Sequence, residues 1–500
     1  MPKDNSHILY NPISFVGGAI AGVSLAIFCL LFFLQLVGEQ ENPYYGLFLF
    51  IVVPAFLILG LLLVPVGAYV EVQRRKRRGI AAPSFPVIDL NDRRHRAYLF
   101  GAVLGVVIFL LLSAVGSYEA YHYTDSVDFC GRLCHEVMKP EDTLYRQSPH
   151  ARVRCVDCHV GAGANWYVRS KLSGLYQVYA TVANVYPRPI PTPIENLRPA
   201  QETCEQCHWP EQFYGAQQKL FHHFLPDEHN SEWQINMLIK TGGGSPRTGL
   251  ATGIHWHMNI ANRVEYLATD ARRQEISWVR FTNKRTGETR VYVDSSSPVT
   301  PEEADTLKVR VMDCMDCHNR PTHIYRSPAQ IVNLALATGR LKGDLPWIKR
   351  VATEALGQEY ATTQGALDTI ALTLREFYGS EYPELAKDGA VLDSAIATLQ
   401  ELFQLNFFPE MRARWDRYPD NVGHLYFKGC YRCHDGKHVD AEGRAITNEC
   451  TACHTIVWQG RPDSLEISHT SEGLPFRHPV DVGTAWQEMG CSDCHAGMLP

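Results

Sequence analysis

The chain has 500 residues, with 47 Lys and Arg against 53 Asp and Glu, so its formal charge is −6. A net acidic chain lies outside the class that binds nucleic acid through bulk positive charge, and its length predicts more than one folding unit. Fifteen cysteines and 21 histidines are the unusual feature of the composition.

Three apolar runs come first: Phe15–Gly38, Gly46–Val70 and Ala97–Gly116. Each is long enough to cross a hydrocarbon core of about 30 Å as a helix. The first run is too long for a cleaved signal peptide and has no small-residue cleavage site near its end. The segment Glu71–Arg96 carries Arg74, Arg75, Lys76, Arg77, Arg78, Arg93, Arg94 and Arg96, whereas Glu39–Tyr45 carries no Lys or Arg. Positive charge stays on the cytoplasmic side, so the N-terminus is predicted inside and everything after Ser117 outside. RRKRR alone could suit nucleic acid, but between two spans it reads as a topology signal. Tyr44, Tyr45, Tyr118 and Tyr121 fall where an interfacial aromatic belt is expected, and Cys29, inside the first span, reads as a small apolar filler.

Beyond the third run the cysteines come in pairs, and each second member is followed at once by histidine. The six regular motifs are CVDCH (Cys155, Cys158, His159), CEQCH (Cys204, Cys207, His208), CMDCH (Cys314, Cys317, His318), CYRCH (Cys430, Cys433, His434), CTACH (Cys450, Cys453, His454) and CSDCH (Cys491, Cys494, His495). Chance would supply roughly 0.02 such motifs, so the pattern reads as covalent c-type haem attachment. Residues three apart share one face of a helical turn, which lets two thiols reach the two vinyl groups of one porphyrin while the next residue aims its imidazole at the iron. Zinc also binds cysteine pairs at this spacing but has no use for a histidine after every second one. A disulfide needs no adjacent histidine at all. The segment FCGRLCH (Cys130, Cys134, His135) reads as a seventh site with one extra residue between its thiols. Seven covalent haems and seven proximal histidines are therefore expected.

The rest of the chain is read around these motifs. YPRPIPTP at 186–193 predicts an extended strap, because closely spaced prolines exclude helix. GGGSPRTG at 242–249 predicts a loop, and ISWVRF and TRVYVD predict strands. From Ser327-Pro328 to Trp415 the apolar residues of IVNLALATGRL and VLDSAIATLQELF recur at three and four, which predicts helices. The expected fold class is mainly α with extensive irregular structure, a three-helix transmembrane anchor joined to a periplasmic multihaem cytochrome c domain. The expected divisions are 1–117 for the anchor, 118–215 for the first three motifs, 216–326 for a mixed insertion with the fourth, 327–415 for a helical segment and 416–500 for the last three. Residues 118–500 carry 38 basic and 47 acidic side chains, a balance of −9 that favours a basic or locally basic partner.

Electron-transfer haem generally takes a second strong ligand, and bis-histidine ligation gives low potentials while methionine raises them. The distal candidates are His150, His223, His255, His257, His323, His424, His438 and His478. His122, His222, His229 and His469 are weaker, and His7 and His95 lie with the membrane part. Met138 follows His135 by three residues and could approach the same iron or simply fill space.

The segment VDFCGRLCHEVMKPEDTLYRQSPHARVRCVDCHVGAG, followed by TCEQCHWP, resembles the NapC/NirT family of membrane-anchored quinol-oxidising cytochromes. With three spans and seven motifs, the whole chain is similar to inner-membrane heptahaem cytochromes of metal-reducing bacteria. The resemblance implies a quinol site beside the first haem, with Lys171, twelve residues after His159, helping to bind the quinol. It also implies that His150 is a distal ligand to another haem. Where the family places a carboxylate about two turns after the lysine, this chain has Gln177 and Val178, and Gln177 is expected to join Lys171 in binding the quinol. Three spans and a CxxxCH motif are further departures from the family pattern. The function so implied is oxidation of menaquinol and transfer of electrons through the haems to periplasmic multihaem cytochromes. No catalytic residue is expected beyond the first haem. The alternative is a terminal reductase of a nitrogen or sulfur oxyanion, which needs an iron with an open position.

Overall fold

The computed structural model describes residues 8–37, 48–79, 89–133, 135–161, 163–194, 198–209, 215–242, 253–299, 308–387 and 389–498. The chain divides into two compact units, one holding residues 1–138 with 154–156 and the other residues 139–153 with 157–500.

The first unit holds three helices long and apolar enough to cross a membrane: α1 (Pro12–Val37), α2 (Val53–Arg77) and α3 (Arg93–Thr124). Helices α1 and α2 pack closely because glycines face each other. A Cβ at Gly60 would stand 2.5 Å from Ala21 N, and one at Gly17 would stand 2.8 Å from Leu63 Cβ. Small residues of this kind let helix backbones approach in lipid, where no hydrophobic force drives them together. The polar ends are tied as well, since Ser14 Oγ donates to Val64 O at 2.9 Å and Ser14 N donates to Asn11 Oδ1 at 2.8 Å. Helix α2 starts at Val53, after a π-helical turn at Phe48–Val52 and with Pro54 in its first turn, where a missing N–H costs nothing. Helix α3 is capped by Asp92, whose carboxylate accepts from Arg94 N at 2.7 Å. Val103, Leu104, Val106, Val107, Leu110 and Leu111 are all exposed on it, the pattern of a helix bathed in lipid.

The second unit departs from the mainly α expectation by adding two antiparallel sheets. In chain order the strands are β1 (Gln217–Phe224), β2 (Glu232–Ile239), β3 (Asn262–Ala268), β4 (Ile276–Asn283), β5 (Thr289–Asp294), β6 (Arg310–Val311), β7 (His438–Val439), β8 (His454–Arg461) and β9 (Ser464–Ile467). They form one sheet ordered β1-β2-β8-β9 and another ordered β6-β3-β4-β5-β7. ISWVRF and TRVYVD fall on β4 and β5 as expected. Val264, Tyr266, Ile276 and Val279 form the buried face of the second sheet, and Trp233, Ile235 and Ile456 that of the first. Both sheets thus recruit strands from far along the chain, β8 and β9 to one and β7 to the other. The 186–193 strap holds no regular element, and the predicted Gly-rich loop lies, after Gly242, outside the described residues.

Helices fill the remainder: α4 (Ala164–Val182), α5 (Pro328–Ala337), α6 (Ile348–Gly357), α7 (Thr363–Glu381) and α8 (Gly389–Asn406). Ser327 caps α5 in a capping box with Gln330, and Pro328 occupies its first turn. Ala352, Leu356, Ile370, Leu374 and Leu399 are fully buried among α6, α7 and α8. Asn230 ties the β1–β2 turn to this layer, donating to Gly343 O and Leu345 O at 2.9 and 2.8 Å and accepting from Lys349 N at 2.8 Å.

Candidate functional site

Each regular motif is a single tight turn. His208, His318, His434 and His495 donate their backbone N–H to the carbonyl of the first cysteine of their own motif, at 2.8–3.0 Å. CVDCH is a short helix, Cys155–His159, and CTACH turns straight into β8 at His454. In CMDCH, Asp316 accepts from Asp313 N at 2.7 Å, and in CSDCH, Asp493 accepts from Gly490 N at 3.0 Å, so the aspartate of each motif caps its turn. Cys204, Cys207, Cys314, Cys317, Cys430, Cys433, Cys450, Cys453, Cys491 and Cys494 are free thiols, available for thioether bonds.

Histidine pairs are the main finding. The ring of His159 faces His323 with centroids 6.3 Å apart, and His208 faces His150 at 5.9 Å. His318 faces His255 at 6.2 Å, and His434 faces His257 at 5.8 Å. His454 faces His424 at 6.2 Å, and His495 faces His478 at 6.0 Å. Two imidazoles on opposite sides of one metal, each about 2 Å from it through nitrogen, put their ring centres roughly 6 Å apart. Every pair joins one motif histidine to one histidine from elsewhere. Among the described residues no group of three or more His, Cys, Asp or Glu converges on a point. A tetrahedral zinc site needs three or four protein ligands, whereas haem iron takes four ligands from its own porphyrin and leaves two positions for protein. The residues present therefore suit c-type haem.

The non-motif rings are oriented by hydrogen bonds that fix their tautomer. Nδ1–H donates to a backbone carbonyl from His150 (Pro321, 3.1 Å), His255 (Thr241, 2.5 Å), His257 (Ile254, 2.8 Å) and His323 (Glu141, 3.1 Å). A carbonyl can only accept, so Nε2 is left with its lone pair, the form that ligates metal. His424 is held differently, its ring stacked on Tyr431 at 4.3 Å. Burial, followed by the charge of His454, brings the His424 imidazole down to about 4, so it is neutral at pH 7. Burial likewise holds His257 and His318 below the ordinary imidazole range. Glu141 supports His323 with its carboxylate as well, Oε2 lying 3.0 Å from Nδ1, while Tyr325 donates to Oε1 at 3.0 Å. Burial raises this carboxyl, but the hydrogen bond from His323, with further help from Arg320 and Tyr325, keeps it below the usual range.

Other candidates are placed elsewhere. His438 is buried with both ring nitrogens engaged, Nδ1 with Asp435 at 2.9 Å and Nε2 with Ile276 O at 3.0 Å, so no nitrogen remains for iron. His223 stacks on Phe221, and His495 of the last motif is among the groups whose charge acts on it, after burial and Lys349. His222 pairs with Glu232 and His122 packs against Tyr118. At the first motif, Cys130 lies on a helix, Val127–Arg132, capped by Ser126, and Met138 is half-buried one turn into the helix His135–Arg146. Cys134 and the side chain of His135 lie outside the described residues.

Lys171 and Gln177 both lie on α4. Six residues apart, they point roughly 120° away from each other, while Val178, seven residues on, shares the lysine's side. Gln177 is thus not brought beside Lys171. Leu172, Leu175, Tyr176, Tyr179 and Val182 form an exposed apolar stripe on α4, and Lys171 stands at its edge.

Over residues 93–189 the chain matches the NapC/NirT cytochrome c family, N-terminal region. It is 44% identical over 489 residues to the cytochrome c-type protein ImcH of Geobacter sulfurreducens, which covers 97% of this chain and 95% of that protein. No solved structure matches it. Three apolar helices, cysteine-pair motifs whose histidines find partners, and this likeness along nearly the whole chain lead to one conclusion: the chain belongs to the membrane-anchored multihaem c-type cytochromes of the NapC/NirT family.

Proposed function

We propose that this chain is a heptahaem cytochrome of the bacterial inner membrane that oxidises menaquinol and delivers electrons to periplasmic multihaem cytochromes. The haems, when bound, supply one-electron redox chemistry, accepting electrons released by the quinol and passing them on. The observation that supports this reading best is the set of six histidine pairs near 6 Å, because paired imidazoles suit electron transfer at low potential rather than substrate binding.

In this reading the thiols of Cys155, Cys158, Cys204, Cys207, Cys314, Cys317, Cys430, Cys433, Cys450, Cys453, Cys491 and Cys494 anchor six haems, and Cys130 and Cys134 anchor the seventh. His159 and His323, His208 and His150, His318 and His255, His434 and His257, His454 and His424, and His495 and His478 would hold the irons of motifs two to seven in pairs, and His135 would hold the first iron. The basic segment from Arg74 to Arg96 stays in the cytoplasm and the motifs face the periplasm. Lys171 holds the quinol head group at the lipid boundary, where the apolar stripe of α4 suits the interface. With Val178 on the lysine's side and Gln177 turned away, the chain's proton acceptor is not the carboxylate of the family pattern. Reduction of a nitrogen or sulfur oxyanion requires an open iron, and the six pairings leave only the first motif for it.

The experiment is direct. Purified full-length protein is mixed with a reduced menaquinol analogue, and haem reduction is followed at the α-band. The reading expects reduction that Lys171→Ala slows at least tenfold. Inertness toward quinol, together with turnover of nitrite, sulfite or tetrathionate, would replace it.

A further inference from the structure

Two of the six pairs share their supports. His255 and His257 sit two residues apart on one 3-10 turn, Ile254–Met258, and face His318 and His434 respectively. Two residues span at most about 7 Å of chain, so the partners of the fourth and fifth motifs hang from a single turn. Trp256 between them packs against Phe281 of β4 at 4.8 Å, which anchors the turn on the second sheet.

The motif side is joined as well. Arg432, the third residue of CYRCH, is 7% exposed. Its guanidinium donates from Nη2 to Asp316 O inside CMDCH at 2.6 Å, from Nε to Gly429 O at 2.9 Å and from Nη1 to Arg273 O at 2.9 Å. All three acceptors are backbone carbonyls, and among the described residues no carboxylate forms an ion pair with it. The nearby Asp316 carboxylate is already met by Arg310 at 2.7 Å and Arg273 at 3.5 Å. Asn421 adds a neutral bond to the same Asp316 carbonyl at 3.0 Å. The backbone admits this arrangement because Gly429 has φ +49°, and a Cβ there would run into the carbonyl of Gly423. Burying a hydrogen-bonded cation is costly, so its place between two haem motifs calls for a role.

We propose that Arg432 is a positioning residue that locks the fourth and fifth haem sites into one electron-exchanging pair and, through its charge, raises the potentials of both. This deepens the haem reading and rests on it. Ferric iron carries one more positive charge than ferrous iron, so a fixed cation between the two sites favours the reduced form of each. The exchange moves a single electron, oxidising one iron and reducing the other, with no bond made or broken.

The test is an EPR-monitored redox titration of the full-length, haem-loaded protein. The two sites are distinguishable, because the ring planes of His255 and His318 lie 9° apart and those of His257 and His434 lie 85° apart. Near-parallel imidazoles give a rhombic low-spin ferric signal and near-perpendicular ones a single large-g feature. Arg432→Gln is expected to lower the potentials of one signal of each kind by at least a tenfold shift in the oxidised-to-reduced ratio, about 59 mV for one electron, with the others unmoved. Asn421→Ala, which removes a bond from the same carbonyl without changing charge, leaves the potentials in place. Arg432→Lys keeps the charge and keeps both potentials near wild type. Unmoved potentials in Arg432→Gln with full haem content, or an equal fall in Asn421→Ala, overturn the assignment. Where Arg432→Gln does not retain its haems, a tenfold fall in Arg432→Lys overturns the charge role. Absence of haem from the wild-type chain sinks the reading beneath it, a result separable from all of these by mass.

Discussion

Helices α5 to α8 and the haem-motif segment from Cys155 to Trp209 fold by different means. In α6 alone Ile348, Val351, Ala352, Ala355 and Leu356 are buried, and α7 and α8 add Ile370, Leu374, Tyr378, Leu399 and Phe403. Between Cys155 and Trp209 the buried side chains among the described residues are Val156, Ala180 and Ala200. One region makes its own core from side chains spaced at three and four. The other consists of tight turns, the largely exposed helix α4 and a strap, and in the proposed reading its apolar interior comes from porphyrin. In that reading covalent haem serves as core material as well as redox centre.

The largest test is to produce the chain in cells that cannot attach haem. The α5–α8 layer is expected to survive limited proteolysis as a protected fragment, while cleavage spreads through 155–209 and 425–498; uniform protection of both would break the comparison. Within the layer, Leu374→Ala removes a fully buried side chain and should cost about 2–5 kcal/mol of unfolding free energy. Calorimetry would show that loss while a redox titration shows unchanged potentials. Within the haem region the reverse holds. His424→Met should raise one potential on the order of 0.1–0.2 V, a modest part of the ~0.8 V that axial ligation spans, and leave the layer's melting transition alone.

The smallest effect concerns Lys349, 1% exposed in α6, whose Nζ donates to Ala329 O at 2.9 Å. Burial brings its amine from 10.5 down to about 7. Below pH 7 the amine is protonated in both states and burial opposes folding in full. As pH rises from about 7 to 10.5 the folded state has already released its proton while the unfolded state still holds it, so stability climbs over that window. Lys349→Met should flatten the climb and add about 1–2 kcal/mol at neutral pH. Thermal unfolding from pH 7 to 10 measures it, and a loss of stability instead would mean that an anion meets the amine in the haem-loaded protein.

What the sequence disclosed follows the same divide. The spans, the Ser327-Pro328 helix start and the strands ISWVRF and TRVYVD were legible because their signals are local: apolar length, a capping box, alternation. Strand β8 was not, since it begins inside a cysteine motif at His454, and β1 reads QQKLFHHF without alternation. The motifs were legible because three-residue spacing is local geometry. Which histidine faces which was not, because His159 meets His323 and His257 meets His434 only through tertiary structure. The same limit separates His438 from the facing rings: Asp435 and the Ile276 carbonyl occupy it, and neither is visible as a hydrogen bond in the sequence. Gln177 and Val178 differ only by their angle around α4, which the helix settles.

Near-infrared magnetic circular dichroism of the oxidised full-length protein tests the central claim most directly, because its charge-transfer bands report the axial ligands of every low-spin ferric haem. The account predicts bis-histidine intensity equivalent to six irons, from motifs two to seven. Intensity equivalent to fewer than six, with methionine-ligated or high-spin irons making up the difference, would contradict it.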